Sequence, residues 1–261
     1  MGDYEVFKQK ILQLTKIDLN CYKERQMKRR IDSLIEKAKI TSYEEYVEAL
    51  RTDKELLEEF VAYLTINVSE FYRNPEQWAL LEEEIFPYLF QCFGKNNKIW
   101  SAACATGDEP YTLVMVLSKF IPLQRIQIIA TDIDKQVLEK AQLGIYEEKS
   151  FKALPREFRD KFFTKISEKR YQISDEVKKC VTFKQHNLLK DPYPENCDMI
   201  VCRNVMIYFT EEAKKVMYRK FNQSLKDNGI LFVGSTEQII SPAEYNFSTF
   251  KSFFYKKNGN L

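Results

Sequence analysis

The chain has 261 residues, with 40 Lys and Arg against 38 Asp and Glu, 44% hydrophobic residues and 14% aromatic ones. That length predicts one large domain or two modest ones with a real core, and a formal charge of +2 is too small for a protein whose main task is coating nucleic acid or anionic membrane. The single histidine, His186, excludes multi-histidine metal sites, and the dispersed cysteines without a C-x-x-C pair predict reduced thiols in a cytoplasmic protein with no leader and no membrane span.

In chain order, the first elements are helical. Phe7, Ile11 and Leu14, then Met27, Ile31, Leu34 and Ile35, then Leu56, Phe60 and Leu64 recur at helix spacing, with Thr41-Ser42 as an N-cap before Tyr43. Residues 1–73 are predicted to form a helical domain. Asn74-Pro75 breaks the pattern, and Trp78, Leu81, Ile85 and Leu89 predict an amphipathic linking helix within 74–97.

From residue 98 to 261 short apolar runs at Ile99 to Ala103, Ile126 to Thr131, Met199 to Cys202 and Ile230 to Gly234 alternate with helices at Tyr111 to Phe120, Lys135 to Leu143 and Glu211 to Leu225. This rhythm predicts an α/β domain with a doubly wound, mostly parallel sheet. A charged, aromatic-rich stretch at about 146–182, with strands at Arg170 to Ile173 and Val181 to Phe183, reads as a small inserted β-subdomain, and Phe247 to Lys256 as a terminal hairpin.

The candidate site lies at the carboxyl ends of these strands. The first runs into Ser101-Ala102-Ala103-Cys104-Ala105-Thr106-Gly107-Asp108-Glu109-Pro110-Tyr111, whose small residues around Gly107 let a ligand approach the backbone. Asp108 and Glu109 would repel a pyrophosphate at that helix start, which disfavours NAD and nucleoside triphosphates. The second strand ends in Thr131-Asp132-Ile133-Asp134, where Asp132 is placed to accept hydrogen bonds from both ribose hydroxyls; Asp132 or Asp134 as a plain helix cap is an equal alternative. Asn187 and Asn204 close two further strand edges, where asparagine is also an ordinary turn residue.

Together with Thr65-Ile66-Asn67-Val68-Ser69-Glu70-Phe71-Tyr72-Arg73 and Cys202-Arg203-Asn204-Val205-Met206-Ile207-Tyr208-Phe209, these strings resemble the CheR family over nearly the whole chain. Those are S-adenosylmethionine-dependent methyltransferases that esterify glutamates of bacterial chemoreceptors. The resemblance implies S-adenosylmethionine as cofactor, S-adenosylhomocysteine as product and no metal. It implies that Asn67, Ser69 and Arg73 fold over the cofactor, with Ala103 and Gly107 in the turn, Glu109 and Asp132 on its methionyl and ribose parts, Asn187 and Leu188 on the adenine side, and Arg203 and Asn204 near the reacting end. Ser69 departs from the threonine more usual there but keeps the hydroxyl.

A glutamate with an ordinary pKa of ~4.3 is already ionised at neutral pH, so the transfer needs no general base. Arg73 and Tyr208 are the expected catalytic pair, positioning the substrate carboxylate, while Arg25, Lys28, Arg29 and Arg30 form a basic helix face for docking acidic receptor helices. Partners are thus chemoreceptors, with no nucleic acid and with membrane proximity only through the receptors. The short, glycine-free Lys165 to Asp175 connection argues against tethering to a receptor peptide. Two readings compete: an RNA methyltransferase of the same fold, and a non-catalytic signalling protein that binds the cofactor.

Overall fold

The structure is a computed structural model and describes residues 2–259. The chain divides into two compact units, Met1–Asn67 with Ile207–Val216, and Val68–Met206 with Met217–Leu261.

The first unit is built on α1 (Gly2–Thr15), α2 (Glu24–Lys37), α3 (Tyr43–Thr52) and α4 (Lys54–Thr65). Local chemistry sets the boundaries. Ser42 accepts the Glu45 amide at 3.2 Å and Asp53 accepts the Leu56 amide at 3.0 Å, so α3 and α4 each start on a side-chain cap. The apolar stripes meet in a core of Phe7, Ile11, Ile31, Tyr46, Leu50, Phe60 and Leu64, where Phe60 stands edge-on to Phe7 and Tyr46. Residues 207–216 join this unit through backbone bonds: Lys23 N–H donates to the Tyr208 carbonyl at 2.9 Å, Thr210 N–H donates to the Cys21 carbonyl, and Tyr22 bridges Phe209.

The second unit opens with α5 (Pro75–Leu80), a π-turn at Leu81–Ile85 and α6 (Phe86–Phe93). The single linking helix expected from the apolar spacing is thus interrupted. Pro87 has no N–H and its ring displaces the carbonyl one turn back, which widens the helix just before it.

The sheet follows. Its strands are β1 (Ile99–Ala102), β2 (Ile128–Asp132), β6 (Val181–Gln185), β7 (Cys197–Cys202), β8 (Leu225–Val233), β9 (Phe247–Lys251) and β10 (Phe254–Lys257), in the order β6-β2-β1-β7-β8-β10-β9. The first five run parallel, and β10 is antiparallel to both neighbours, which makes the predicted terminal hairpin. The connecting helices are α7 (Asp108–Leu117), α8 (Lys135–Leu143) and α11 (Glu211–Ser224). β1 and β7 are buried at every position, as strands covered on both faces must be.

A second, three-stranded sheet, β3 (Ile145–Glu147), β4 (Phe163–Ser167) and β5 (Arg170–Ile173), carries α9 (Arg156–Phe162) and is followed by α10 (Asp175–Lys178). It is wholly antiparallel. Val181 to Phe183, read above inside the insertion, belongs instead to the main sheet, because β6 pairs with β2 from Ile128↔Val181 onward. Residues 226–229 form a bulge inside β8: the register jumps from Leu225 opposite Cys197 to Ile230 opposite Met199, and Asn228 takes a left-handed φ of 68°.

Phe60 is fully buried in a small helical core. Phe60→Ala is expected to cost about 3–5 kcal/mol, the usual cost of an aromatic-to-alanine cavity. Urea unfolding followed by circular dichroism reads this as a lower midpoint; a loss under about 1 kcal/mol would mean that the aromatic contacts do not hold the helices together.

Candidate active site

The site in the sheet unit begins at the turn between β1 and α7. Ala103, Ala105 and Gly107 have φ of 63°, 45° and 87°. Alternating left-handed residues fold the chain back over the strand end, a conformation that costs alanine about 1–2 kcal/mol. At Gly107 an added Cβ would sit 2.9 Å from the Ala141 Cβ, so glycine is required on both grounds. The turn is tied to the neighbouring strand: Cys104 N–H donates to the Thr131 carbonyl and Ala105 N–H to Asp132 Oδ2, both at 2.9 Å.

Asp132 closes β2. Its other oxygen accepts the Asp134 amide at 3.0 Å, and Asp134 itself caps α8 by accepting the Gln136 amide at 2.9 Å. The two aspartates therefore divide the roles that their spacing left open: Asp134 is the cap. Asp132 accepts backbone amides from Ala105, Ile133 and Asp134, and a carboxylate with about four acceptor sites keeps room for a hydroxyl donor.

Glu109, on the first turn of α7, accepts the Ser101 hydroxyl at 2.8 Å and lies 3.6 Å from an Arg203 nitrogen. Arg203 follows β7, and its side chain is 2% exposed. One terminal nitrogen donates to the Arg73 carbonyl at 2.8 Å, to Asn74 Oδ1 at 3.2 Å and to Gln77 Oε1 at 2.7 Å, while the guanidinium lies over the rings of Phe232 and Trp78. It acts as a clamp that fixes the segment bearing Arg73 through one terminal nitrogen, while its Nε is buried without a hydrogen-bond partner. Arg73 itself is half-buried and reaches back to the Val68 carbonyl at 3.3 Å.

The remaining residues complete the edge. Asn204, with φ 60°, gives its amide to Glu237 Oε2 at 2.6 Å, and Gly234 gives its own at 2.9 Å. A Cβ at Gly234 would collide with that carboxylate and with the Asn204 amide, so the close approach needs glycine. Asn187 uses Oδ1 to accept the Leu189 amide at 2.9 Å, the turn role, and Leu188 is buried with its carbonyl held by Tyr193 and Lys220. Ser69 faces Asp108, whose second partner is the Thr106 hydroxyl.

Asn67 and Tyr208 belong to the helical unit: Asn67 donates to the Thr65 hydroxyl at 2.9 Å, and Tyr208 ends a short helical turn at Met206–Tyr208. The basic face of α2 splits in two. Arg25 and Arg29 are exposed, whereas Lys28 is paired with Asp32 at 3.0 Å between the Tyr4 and Tyr43 rings, and Arg30 lies over the Tyr63 ring and donates to the Tyr63 carbonyl. Gln77, Ser101, Gly234 and Glu237 were not anticipated. The signal for the last two was a glycine and a carboxylate in Gly234-Ser235-Thr236-Glu237, immediately after an apolar strand.

Burial dominates the electrostatics. It pushes Asp108 and Asp132 up to about 6 and raises Glu109 against the pull of Arg203 and Ser101, while burial lowers Arg203 against the pull of Glu109. Cys104 and Cys202 are raised well above the ordinary thiol range by burial, which leaves them unreactive. Among the described residues no cluster of His, Cys, Asp or Glu could hold a metal ion.

A parallel sheet whose strand ends present carboxylates and a small-residue turn defines a nucleoside-cofactor-binding α/β protein. S-Adenosylmethionine fits this donor set: Asp132 offers acceptors for ribose, and the buried acids, poorly compensated by one arginine, favour a cationic ligand over a phosphate. Residues 67–254 match the CheR methyltransferase, SAM binding domain, and residues 2–65 match the CheR methyltransferase, all-alpha domain. The chain is 40% identical to the chemotaxis protein methyltransferase of Listeria monocytogenes over 98% of its own length and 97% of that protein. Identity to the chemotaxis protein methyltransferase of Borreliella burgdorferi is 33%, over 93% of this chain and 89% of that one, and to that of Escherichia coli 33%, over 76% and 71%. The chain belongs to the CheR methyltransferase family, and it is a methyltransferase that uses S-adenosylmethionine.

The raised acids give a pH dependence with a definite sign. Between the ordinary Asp value of about 3.9 and about 6, the folded chain holds protons that the unfolded chain has released, so the stability contributed by Asp108 and Asp132 falls as pH rises through that window. A ligand that donates to ionised Asp132 is disfavoured below pH 6. Calorimetry with S-adenosylhomocysteine is expected to show Kd rising about tenfold from pH 7.5 to 5, with Asp132→Asn weak at both; a flat wild-type profile would remove Asp132 from the ligand.

Proposed function

We propose that the chain transfers the methyl group of S-adenosylmethionine to glutamate side chains of bacterial chemoreceptors, giving methyl esters. The observation that carries this reading is the match to relatives named chemotaxis protein methyltransferase along almost the whole chain. The chemistry of the sheet edge supports it. Methyl transfer to an amine or hydroxyl must remove a proton in addition, and here the thiols nearby are suppressed by burial and His186 is packed against Trp100 and Tyr193 with Nε2 3.1 Å from the Pro192 carbonyl. A carboxylate arrives already ionised.

When bound, the cofactor supplies an electrophilic methyl on a sulfonium; the chain supplies alignment and exclusion of water. Opposite charges vanish as the product forms, so a site that solvates the separated ions less well than water accelerates the step. Arg73 positions the substrate carboxylate, its backbone held by Arg203 and by Trp78, whose Nε1 donates to the Arg73 carbonyl at 2.9 Å. Tyr208 is assigned the orientation of one carboxylate oxygen, following the family. Asn67, Ser69, Ala103, Gly107, Glu109, Asp132, Asn187, Leu188, Arg203 and Asn204 hold the cofactor directly or through the segments they fix.

On this reading residues 1–73 dock the receptor, 74–97 link, and 98–261 perform the transfer. Docking rests on Arg25 and Arg29, the exposed pair one turn apart on α2. The β4–β5 connection is the two-residue turn Glu168-Lys169, which supports action without a tethering peptide. No described helix is long and apolar enough to cross a membrane.

Incubation with methyl-labelled S-adenosylmethionine and receptor-containing membranes is expected to give protein label released as methanol by mild base. Base-stable label, or label in RNA, would refute glutamate esterification. In the same assay Arg73→Ala should lower turnover by about a hundredfold or more, with affinity for S-adenosylhomocysteine changed by less than about tenfold. The pair Arg25→Glu and Arg29→Glu is expected to raise the KM for receptor and leave cofactor affinity alone; an unchanged KM would move docking off α2.

A further inference from the structure

The small antiparallel sheet is joined to the edge site by two contacts that the methyl-transfer chemistry leaves unused. The first is Tyr146, in the middle of β3. Its ring is buried, and its hydroxyl donates to the Thr106 carbonyl at 2.7 Å. That carbonyl needs an outside donor for a reason written in the sequence. Thr106 precedes the N-cap Gly107, whose own carbonyl accepts the first bond of α7 from Tyr111 N–H, so the Thr106 carbonyl lies outside the helix ladder, and Pro110 four positions on has no N–H to offer it. Thr106 stands between Ala105 and Gly107, both left-handed, so the Tyr146 hydroxyl pins the turn at its most contorted point. Gly107 leaves space for it, since an added Cβ would lie 3.2 Å from the Tyr146 oxygen.

The second contact is Phe71, in the segment that carries Ser69 and Arg73. Phe71 is fully buried, and its N–H donates to the Ser150 carbonyl at 3.0 Å. Its ring stacks on Phe151 at 5.4 Å and stands edge-on to Phe163 at 5.1 Å and to Tyr146 at 4.7 Å. Tyr146 thus touches both segments: its hydroxyl holds the turn that offers the Ala105 amide to Asp132, and its ring seats the segment that leads to Arg73.

We propose that Tyr146 is a positioning residue for cofactor binding, through which the inserted sheet sets the shape of the 103–107 turn and hence the affinity for S-adenosylmethionine. The proposal rests on the reading that this turn lies against the cofactor. Tyr146→Phe keeps the ring and its packing on Phe71 and removes only the donor. Tyr111→Phe is the matched control, because the Tyr111 ring also borders Gly107 and its hydroxyl is equally buried, but that hydroxyl donates to the Ala141 carbonyl at 2.8 Å and not to the backbone of the turn.

Calorimetric titration of S-adenosylhomocysteine into the full-length wild type and both variants is the test. Tyr146→Phe is expected to raise Kd about tenfold, the effect of one lost buried hydrogen bond, and to raise the KM for S-adenosylmethionine in parallel with kcat within twofold. Amide hydrogen exchange at Ala105 and Gly107 should quicken in that variant. Tyr111→Phe is expected to lower the melting temperature by a similar amount with Kd unchanged. Equal Kd for wild type and Tyr146→Phe, with both variants only less stable, would reduce Tyr146 to a fold contact and overturn the proposal. A wild type that binds no S-adenosylhomocysteine would overturn the cofactor reading itself, and the first titration alone identifies that outcome.

Discussion

A guanidinium removed from water needs compensation, and the way Arg203 is held, with Nε left buried and unpartnered, organises its end of the sheet unit. Its charge is balanced by Glu109 across 3.6 Å, its terminal donors go to Arg73, Asn74 and Gln77, and its flat face lies on Phe232 and Trp78. Breaking such a buried pair by removing one partner typically costs 3–5 kcal/mol, so the geometry has little freedom. From this one side chain follow the place where the chain enters the sheet unit, the direction in which Arg73 leaves the backbone and the orientation of Glu109. The arginine that the family resemblance implied at the reacting end is bonded here to the backbone of Arg73.

The second constraint is a surplus of acid. Asp108, Glu109, Asp132 and Glu237 are gathered at the strand ends, and burial holds the first three above the ordinary carboxylate range. A structure that keeps such groups ionised near neutral pH stores unfavourable energy, which a cationic, hydroxyl-bearing ligand relieves and a phosphate would aggravate. Selection of the cofactor class is therefore a property of the empty site's electrostatics as much as of its shape.

Much of this was legible in the sequence, for identifiable reasons. The parallel strands were visible because strands covered on both faces read as apolar runs, and α8 began where its capping aspartate stood. The turn after β1 was legible because a run of small residues around one glycine leaves the backbone open to close approach, which at Gly107 the contact with Ala141 requires. Contacts between distant segments were not. Gln77 and Arg203 are 126 positions apart, and nothing local in either says that they meet. The same holds for the splitting of the basic face of α2: four cations look alike in a helical repeat, and only the placement of Tyr4, Tyr43, Tyr63 and Asp32 gives two of them partners within the unit. The interruption of the linking helix at Leu81–Ile85 was foreshadowed by Pro87, whose effect falls one turn before it.

The route of the chain has an evolutionary corollary. The helical unit is completed by residues 207–216, threaded in after β7 and before most of α11, so that Tyr22 finds its bridge partner in Phe209, nearly two hundred positions downstream. It is not a cassette that recombination could lift out with a single cut. A fragment ending at Asn67 lacks the strand-like segment that pairs with Tyr22, and a chimaera that exchanged only the first third of the chain would join Tyr22 to a foreign counterpart of Phe209. Moving the helical part as a module would leave the Lys23–Tyr208 and Thr210–Cys21 backbone bonds to be made with a foreign partner.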